Sequence, residues 1–329
     1  MTAIAAPSEP VVALRDVSVA LRQGGREMVS GVSLSVGRNE IFGIVGESGS
    51  GKTLLTRTVF GLHDDAYVSG GEIDFDGEAV SSEGHFRAMK RKLGRRVGFI
   101  PQDPYGSLNP SMRIGRQITE ALYLAHGLSP RAPQTRARAA ALLDEVGIPE
   151  PEIALDQYPD QFSGGMRQRI VIAIALAQEP TLLIADEPTT ALDATTQRRV
   201  IDLIVERSRT RGLSVILISH NLELLRQNAD RIAVLYGGQL LAVVAAGDLG
   251  ARDTHPYAEA LYRCLPSAAR SLAELRSIPG EPAGAGFGRT GCAFGARCPW
   301  AEARCRTERL PQGQQGDGAF SACILGRGA

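Results

Sequence analysis

Apolar and polar residues follow two rhythms along this chain. Over residues 11–36 they alternate on either side of Gly24-Gly25, which predicts two strands joined by a turn, and residues 71–77 predict another short strand with its own turn. An unbroken apolar run, Ile41-Phe42-Gly43-Ile44-Val45, predicts a strand, and residues 54–59 an amphipathic helix. Val97-Gly98-Phe99-Ile100 reads as a strand. Across 112–162 the apolar spacing becomes helical, with Ile118, Leu122, Ala139, Leu142 and Leu143 in periodic positions. Strand and helix then alternate: strand 182–185, helix 196–209, strand 215–218, helix 222–227, strand 232–236. This order predicts an α/β fold with a mainly parallel sheet, interrupted by a helical insertion. No internal repeat is visible. After about residue 250 the character changes, and Pro, Gly and Ala accumulate through 278–286 as in a loop or linker.

Composition narrows the picture. With 329 residues, 43% of them hydrophobic, the chain can bury one large core plus an appendage. Its 36 basic and 36 acidic side chains cancel, so overall charge suggests no nucleic-acid partner. The densest basic stretch, 90–96, reads as a solvated helix face. The longest apolar run, 170–177, is far too short to span a bilayer. Residues 1–10 lack the basic and apolar regions of a signal peptide. A cytoplasmic protein is expected, with any membrane connection made through a partner.

The candidate chemistry is concentrated in three places. Between strand 41–45 and helix 54–59 lies Gly46-Glu47-Ser48-Gly49-Ser50-Gly51-Lys52-Thr53. Strand, glycine loop and helix is the context in which this pattern cradles phosphate. Backbone N–H groups over Gly46, Ser48, Gly49, Ser50 and Gly51 converge on the anion, and the helix N-terminus adds its partial positive charge. Lys52 would reach the outer phosphates and Thr53 would ligate Mg²⁺. An unliganded glycine-rich turn is the competing reading. A second run, 181–187, is an apolar strand ending in Asp186 and Glu187. A strand-end aspartate completes the Mg²⁺ shell in P-loop ATPases, and Glu187 is placed to polarise the attacking water. The third is Ser163-Gly164-Gly165, where Ser163 can cap a long apolar helix and the glycines let backbone approach an anion.

Here the chain resembles the ATP-binding cassette (ABC) ATPases, whose signature runs through Phe162-Ser163-Gly164-Gly165-Met166-Arg167-Gln168-Arg169. The family's other motifs follow in order: Gln102 in Pro101-Gln102-Asp103-Pro104, the turn Thr190-Ala191-Leu192-Asp193, and His220 in Ile218-Ser219-His220-Asn221. The resemblance implies a P-loop ATPase core with a small antiparallel β subdomain and a helical insertion at about 106–165, all within 10–250. It implies ATP and Mg²⁺ as ligands, with Thr53, Gln102 and Asp186 on the metal and Glu187, His220 and Gln102 in catalysis. Three further stretches, 102–110, 158–165 and 255–261, resemble the oligopeptide/dipeptide importer branch, which includes nickel importers. The last opens that branch's C-terminal extension, 251–329; by itself, His255-Pro256-Tyr257 reads as a helix start. The implied partners are two transmembrane permease subunits, a second cassette (identical or a paralogue) and, indirectly, an extracytoplasmic solute-binding protein. The implied place is peripheral, on the cytoplasmic face of the membrane. Two other classes compete: a soluble cassette ATPase acting on nucleic acid or ribosomes, and a redox-sensing ATPase.

Cys292, Cys298, Cys305 and Cys323 form C-x5-C-x6-C-x17-C. Four thiolates can hold an iron–sulfur cluster or a tetrahedral zinc, but the spacing matches neither the close pairs of structural zinc nor the bacterial ferredoxin run. Free thiols are the third reading. The resemblance favours a [4Fe–4S] cluster, which some peptide-importer ATPases carry on a segment similar to 291–299. The apolar residues of this tail are expected to be too few to order it by burial alone. Cys264, between Leu261 and Leu265, is expected to be a small buried hydrophobe outside the quartet. One position departs from the family: where an aromatic ring usually stacks on adenine, this chain has Leu21.

Overall fold

The structure, a computed structural model, describes residues 10–80, 96–190, 192–250, 254–268, 277–311 and 319–326. It divides into two compact units, Met1–Lys90 with Leu217–Ala329, and Arg91–Ile216. Most of the basic stretch 90–96 lies outside the described residues, as does Ala191.

In the first unit, β1 (Pro10–Leu21), β2 (Glu27–Gly37), β4 (Ala66–Phe75) and β5 (Glu78–Val80) make an antiparallel sheet in the order β2-β1-β4-β5. The register Leu14↔Leu34, Val17↔Val32 and Val19↔Val29 sets β-branched and leucine side chains opposite one another, as the alternation required. β4 is longer than predicted, because Ser69 to Glu72 face outward and hide the period. The second sheet of this unit pairs β3 (Ile41–Val45) in parallel with β9 (Arg231–Tyr236). Antiparallel to β9 runs β10 (Gln239–Ala245), with β11 (Phe320–Ser321) on its far edge. Sequence reading did not anticipate β10, since its buried run has no alternation. Helices α1 (Lys52–Val59), α8 (Leu222–Asn228) and α9 (Pro256–Arg263) complete the unit.

The second unit holds the parallel pair β6 (Val97–Ile100) and β7 (Leu182–Asp186). Its helices are α2 (Pro104–Ser107), α3 (Ile114–His126), α4 (Pro133–Glu145), α5 (Pro151–Ala154), α6 (Gly164–Leu176) and α7 (Ala194–Arg211). The chain returns to the first unit within β8 (Ser214–Ile218). Ile118 and Leu122 of α3 are buried, as are Ala139, Leu142 and Leu143 of α4. α7 starts at a cap made by Asp193, which accepts from Thr195 N and Thr196 N, each at 3.0 Å.

The tail after residue 254 corrects one expectation. It is not short of a core, because it borrows one: Phe294 packs its ring 5.6 Å from Tyr236 of β9 and 5.0 Å from Tyr257 of α9. Gln239 of β10 ties the tail down by donating to the carbonyls of Gly288 and Gly291, each at 2.9 Å, and accepting from Ala293 N. Arg289 reaches the other sheet, donating to both carboxylate oxygens of Asp16 and to Ser18 Oγ. No helix among the described residues is long and apolar enough to cross a membrane.

Candidate ATP site and cysteine cavity

β3 carries the chain into the phosphate loop at Gly46, where a Cβ would collide with the carbonyl oxygen of Leu235. At the loop's other end Gly51 takes φ 98° as the N-cap of α1. That left-handed geometry suits glycine, and no side chain caps this helix. An uncapped helix N-terminus behind a turn of N–H groups is an anion site. Ser48 and Gly49 are exposed at the tip, and Thr53 is half-buried in the first turn of α1. Lys52 is 6% exposed, and its Nζ donates to the carbonyls of Gly46 (2.8 Å) and Glu47 (3.1 Å). The ammonium is thus folded along its own loop, next to the place a phosphate would take. His220 lies exposed in the bend after β8, followed by Asn221, whose side chain caps α8 through Leu224 N. Leu21 ends β1, half-buried, with its N–H on the carbonyl of Arg26.

In the second unit Asp186 closes β7 and is 1% exposed. Glu187 follows at φ 48°, a left-handed conformation that a non-glycine residue adopts at a cost. Its Oε2 accepts from Gln102 Nε2 at 3.0 Å and from Thr190 Oγ1 at 3.1 Å. Gln102 and Glu187, far apart in sequence, are therefore in contact. Ser163 caps α6 by accepting from Met166 N at 3.4 Å, and Gly164 and Gly165 form its first turn. The guanidinium of Arg167 stands 4.5 Å from the ring centre of Tyr105, which ties the segment after Gln102 to the start of α6.

The four tail cysteines converge: Cys292, Cys298, Cys305 and Cys323 line one cavity together with His255, Leu310 and Ala322. His255 Nδ1 accepts from Tyr257 N (3.1 Å), which leaves the proton on Nε2. That N–H points at Cys292 Sγ, 3.7 Å away. Burial pushes the Cys292 thiol up to about 12, and the other three thiols add to the shift. Among the described residues no group of three or more His, Cys, Asp or Glu is placed to hold a metal ion. Cys264 stays apart, beside Trp300 and Ile278, and is half-buried rather than buried.

Residues 29–190 match the family described as ABC transporter, and 244–305 the C-terminal region of oligopeptide/dipeptide transporters. The dipeptide transport ATP-binding protein DppD of Escherichia coli (strain K12) is 40% identical over 90% of each chain. The chain belongs to the ABC ATPases. The oligopeptide transport ATP-binding protein OppD of Lactococcus lactis subsp. cremoris (strain SK11) is 42% identical over 89% of this chain and 87% of that one. Among solved structures, the dimeric post-hydrolysis state of the cassette MJ0796 bound to ADP and Pi is similar with a TM-score of 0.61 and 25% identity, over 71% of this chain and 98% of that one. Sequence reading missed the residues that brace the phosphate loop from the tail: Tyr257, Ala285 and Arg297. Tyr257 lies in a stretch that reads as a helix start, Ala285 in one that reads as a linker and Arg297 among the tail cysteines, and nothing in their composition signals contact with residues 47–49.

Proposed function

We propose that this ABC ATPase powers import of peptides, or of a related solute such as nickel, from the cytoplasmic face of the cell membrane. Its partners are two permease subunits and a second cassette, with an extracytoplasmic binding protein delivering solute. The observation that carries this reading is one chain joining a phosphate loop and a Gln102–Glu187 pair to the oligopeptide/dipeptide C-terminal region. ATP is the substrate. Lys52 and the α1 amide groups neutralise its phosphates. Thr53, Gln102 and Asp186 are the residues that would hold Mg²⁺, which would supply charge neutralisation to the phosphates. Glu187 accepts the proton of the attacking water, and the Gln102 amide holds the carboxylate in place. Ser163, Gly164 and Gly165 serve the nucleotide held by the partner cassette. Gln102 and His220 report phosphate occupancy to the permeases.

The four thiols line one cavity without being gathered as metal ligands, and we propose that they close on a [4Fe–4S] cluster when one is supplied. Metal binding at such a site contributes to folding.

The test of the import reading is reconstitution with its permease subunits. ATP hydrolysis should rise with solute-loaded binding protein, and Gln102→Ala should lose uptake while keeping nucleotide affinity. Uptake intact in Gln102→Ala removes its coupling role. Hydrolysis stimulated by nucleic acid or ribosomes and indifferent to permeases returns the chain to the soluble class.

A further inference from the structure

Glu47 puts a carboxylate in a loop built to receive a polyanion, and that charge must be answered. The answer comes from Arg297, 250 positions away in the C-terminal extension, whose Nη1 donates to Glu47 Oε2 at 2.7 Å. The Arg297 side chain is 5% exposed. Nη1 also donates to Tyr236 Oη (3.1 Å), Nε to the carbonyl of Pro279 (2.8 Å) and Nη2 to that of Ile278 (3.0 Å). A planar fork held at this many points has one orientation. Glu47 is gripped in turn at three atoms. Arg297 takes its carboxylate, the Tyr257 hydroxyl accepts from its N–H (3.1 Å), and its carbonyl accepts from Lys52 Nζ (3.1 Å). Ala285 N–H adds a bond to the carbonyl of Gly49 at 2.8 Å.

We propose that Arg297 is a positioning residue of the ATP site. It neutralises Glu47 and holds the loop in the shape from which Lys52 meets phosphate. The inference rests on the ATP reading and adds to it a contribution from the extension. Two physical effects point the same way. An unanswered Glu47 carboxylate would compete with phosphate for the Lys52 ammonium, and it would repel the nucleotide through a partly desolvated medium. Arg297 removes both, and it does so from a segment whose next residue, Cys298, lines the cysteine cavity.

The experiment measures Mg-ADP affinity by calorimetry for the full chain and for Arg297→Met, Glu47→Gln and the double variant, each checked by its melting curve. Loss of a buried charge-assisted bond predicts about tenfold weaker binding in Arg297→Met. Removing the orphaned charge should restore most of it, so Glu47→Gln/Arg297→Met should bind within about threefold of the unaltered chain. A purely structural Arg297 gives no such rescue, since neutralising Glu47 does not replace the bonds Arg297 makes to Tyr236, Ile278 and Pro279. Arg297→Met within about twofold of the unaltered chain, or a double variant as weak as the single, overturns the proposal. If Arg297→Met does not fold, Arg297→Gln alone and together with Glu47→Gln decides: the single variant should lose affinity severalfold and the double should regain most of it. Affinity unchanged in Arg297→Gln, or no recovery in the double variant, overturns it. Failure of the unaltered chain to bind Mg-ADP would instead overturn the ATP reading itself.

Discussion

Glu187 stands at φ 48° one residue beyond a buried strand, with its carboxylate held by Gln102 and Thr190. A side chain so placed is aimed by its backbone, and the amide of Gln102 fixes what rotation remains. Glu187→Gln keeps the shape and removes the proposed base. Hydrolysis by the purified complex should fall ~10²–10⁴-fold while ATP binding persists, since Lys52, Thr53 and Asp186 are untouched. Near-normal turnover would show that the base is another group. The candidate residues of this site stand out in the sequence because each sits in a short motif whose chemistry is local: a loop needs its glycines, and a strand end needs its carboxylates. Arg297 was not legible. Its partner Glu47 is set by the fold, and no local pattern connects a Gly-rich tail to a phosphate loop.

Elements were legible where one periodicity ran unbroken. α7 was expected at 196–209 and spans Ala194–Arg211; β3, β6 and β8 fall within a residue of expectation. β10 was missed because a strand buried on both faces carries no alternation. α8 shows how an element is anchored beyond its period. Glu223, in its first turn, accepts from Arg226, from Gln227 at 2.7 Å and from Ser267 Oγ at 2.7 Å. The Arg226 guanidinium first, then the Ser267 and Gln227 donors, hold the Glu223 carboxyl down to about 2 from an ordinary 4.5. Between those values the unfolded chain binds the proton and the folded chain does not. The resulting stability is therefore full above about pH 4.5 and is lost as pH falls toward 2. Because the group is partly solvated, its contribution is at most about 1 kcal/mol. Acid titration of the melting temperature should show Glu223→Gln less stable at neutral pH and converging with the parent below about pH 2. Parallel curves would mean that the pairing adds nothing.

At the scale of the whole molecule, the tail was legible as a separate composition but not as a working part. Residues 278–286 are irregular, as Pro and Gly predict, yet Ile278 and Pro279 hold Arg297, and Ala285 bonds Gly49. The cysteines were legible as a quartet, and folding brings all four to one cavity. The aromatic contacts of Phe294 order one side of that cavity; the other side is closed by the segment around Cys323, tied through β11 by a two-residue pairing to β10. With so slight a pairing, the cluster proposed above would supply further hold on this segment, as metal–thiolate bonds do for small modules generally. Protein purified without oxygen should be brown, with about four iron atoms per chain, the content of a [4Fe–4S] centre. Serine at Cys292, Cys298, Cys305 or Cys323 should each lose the colour and open the tail to protease, whereas Cys264→Ser should change neither. Stoichiometric zinc without iron would keep the four-ligand site and remove the cluster. Colourless, metal-free protein with a protease-resistant tail would remove both, and would show that Phe294, Gln239 and Arg289 suffice to hold the extension on the sheet.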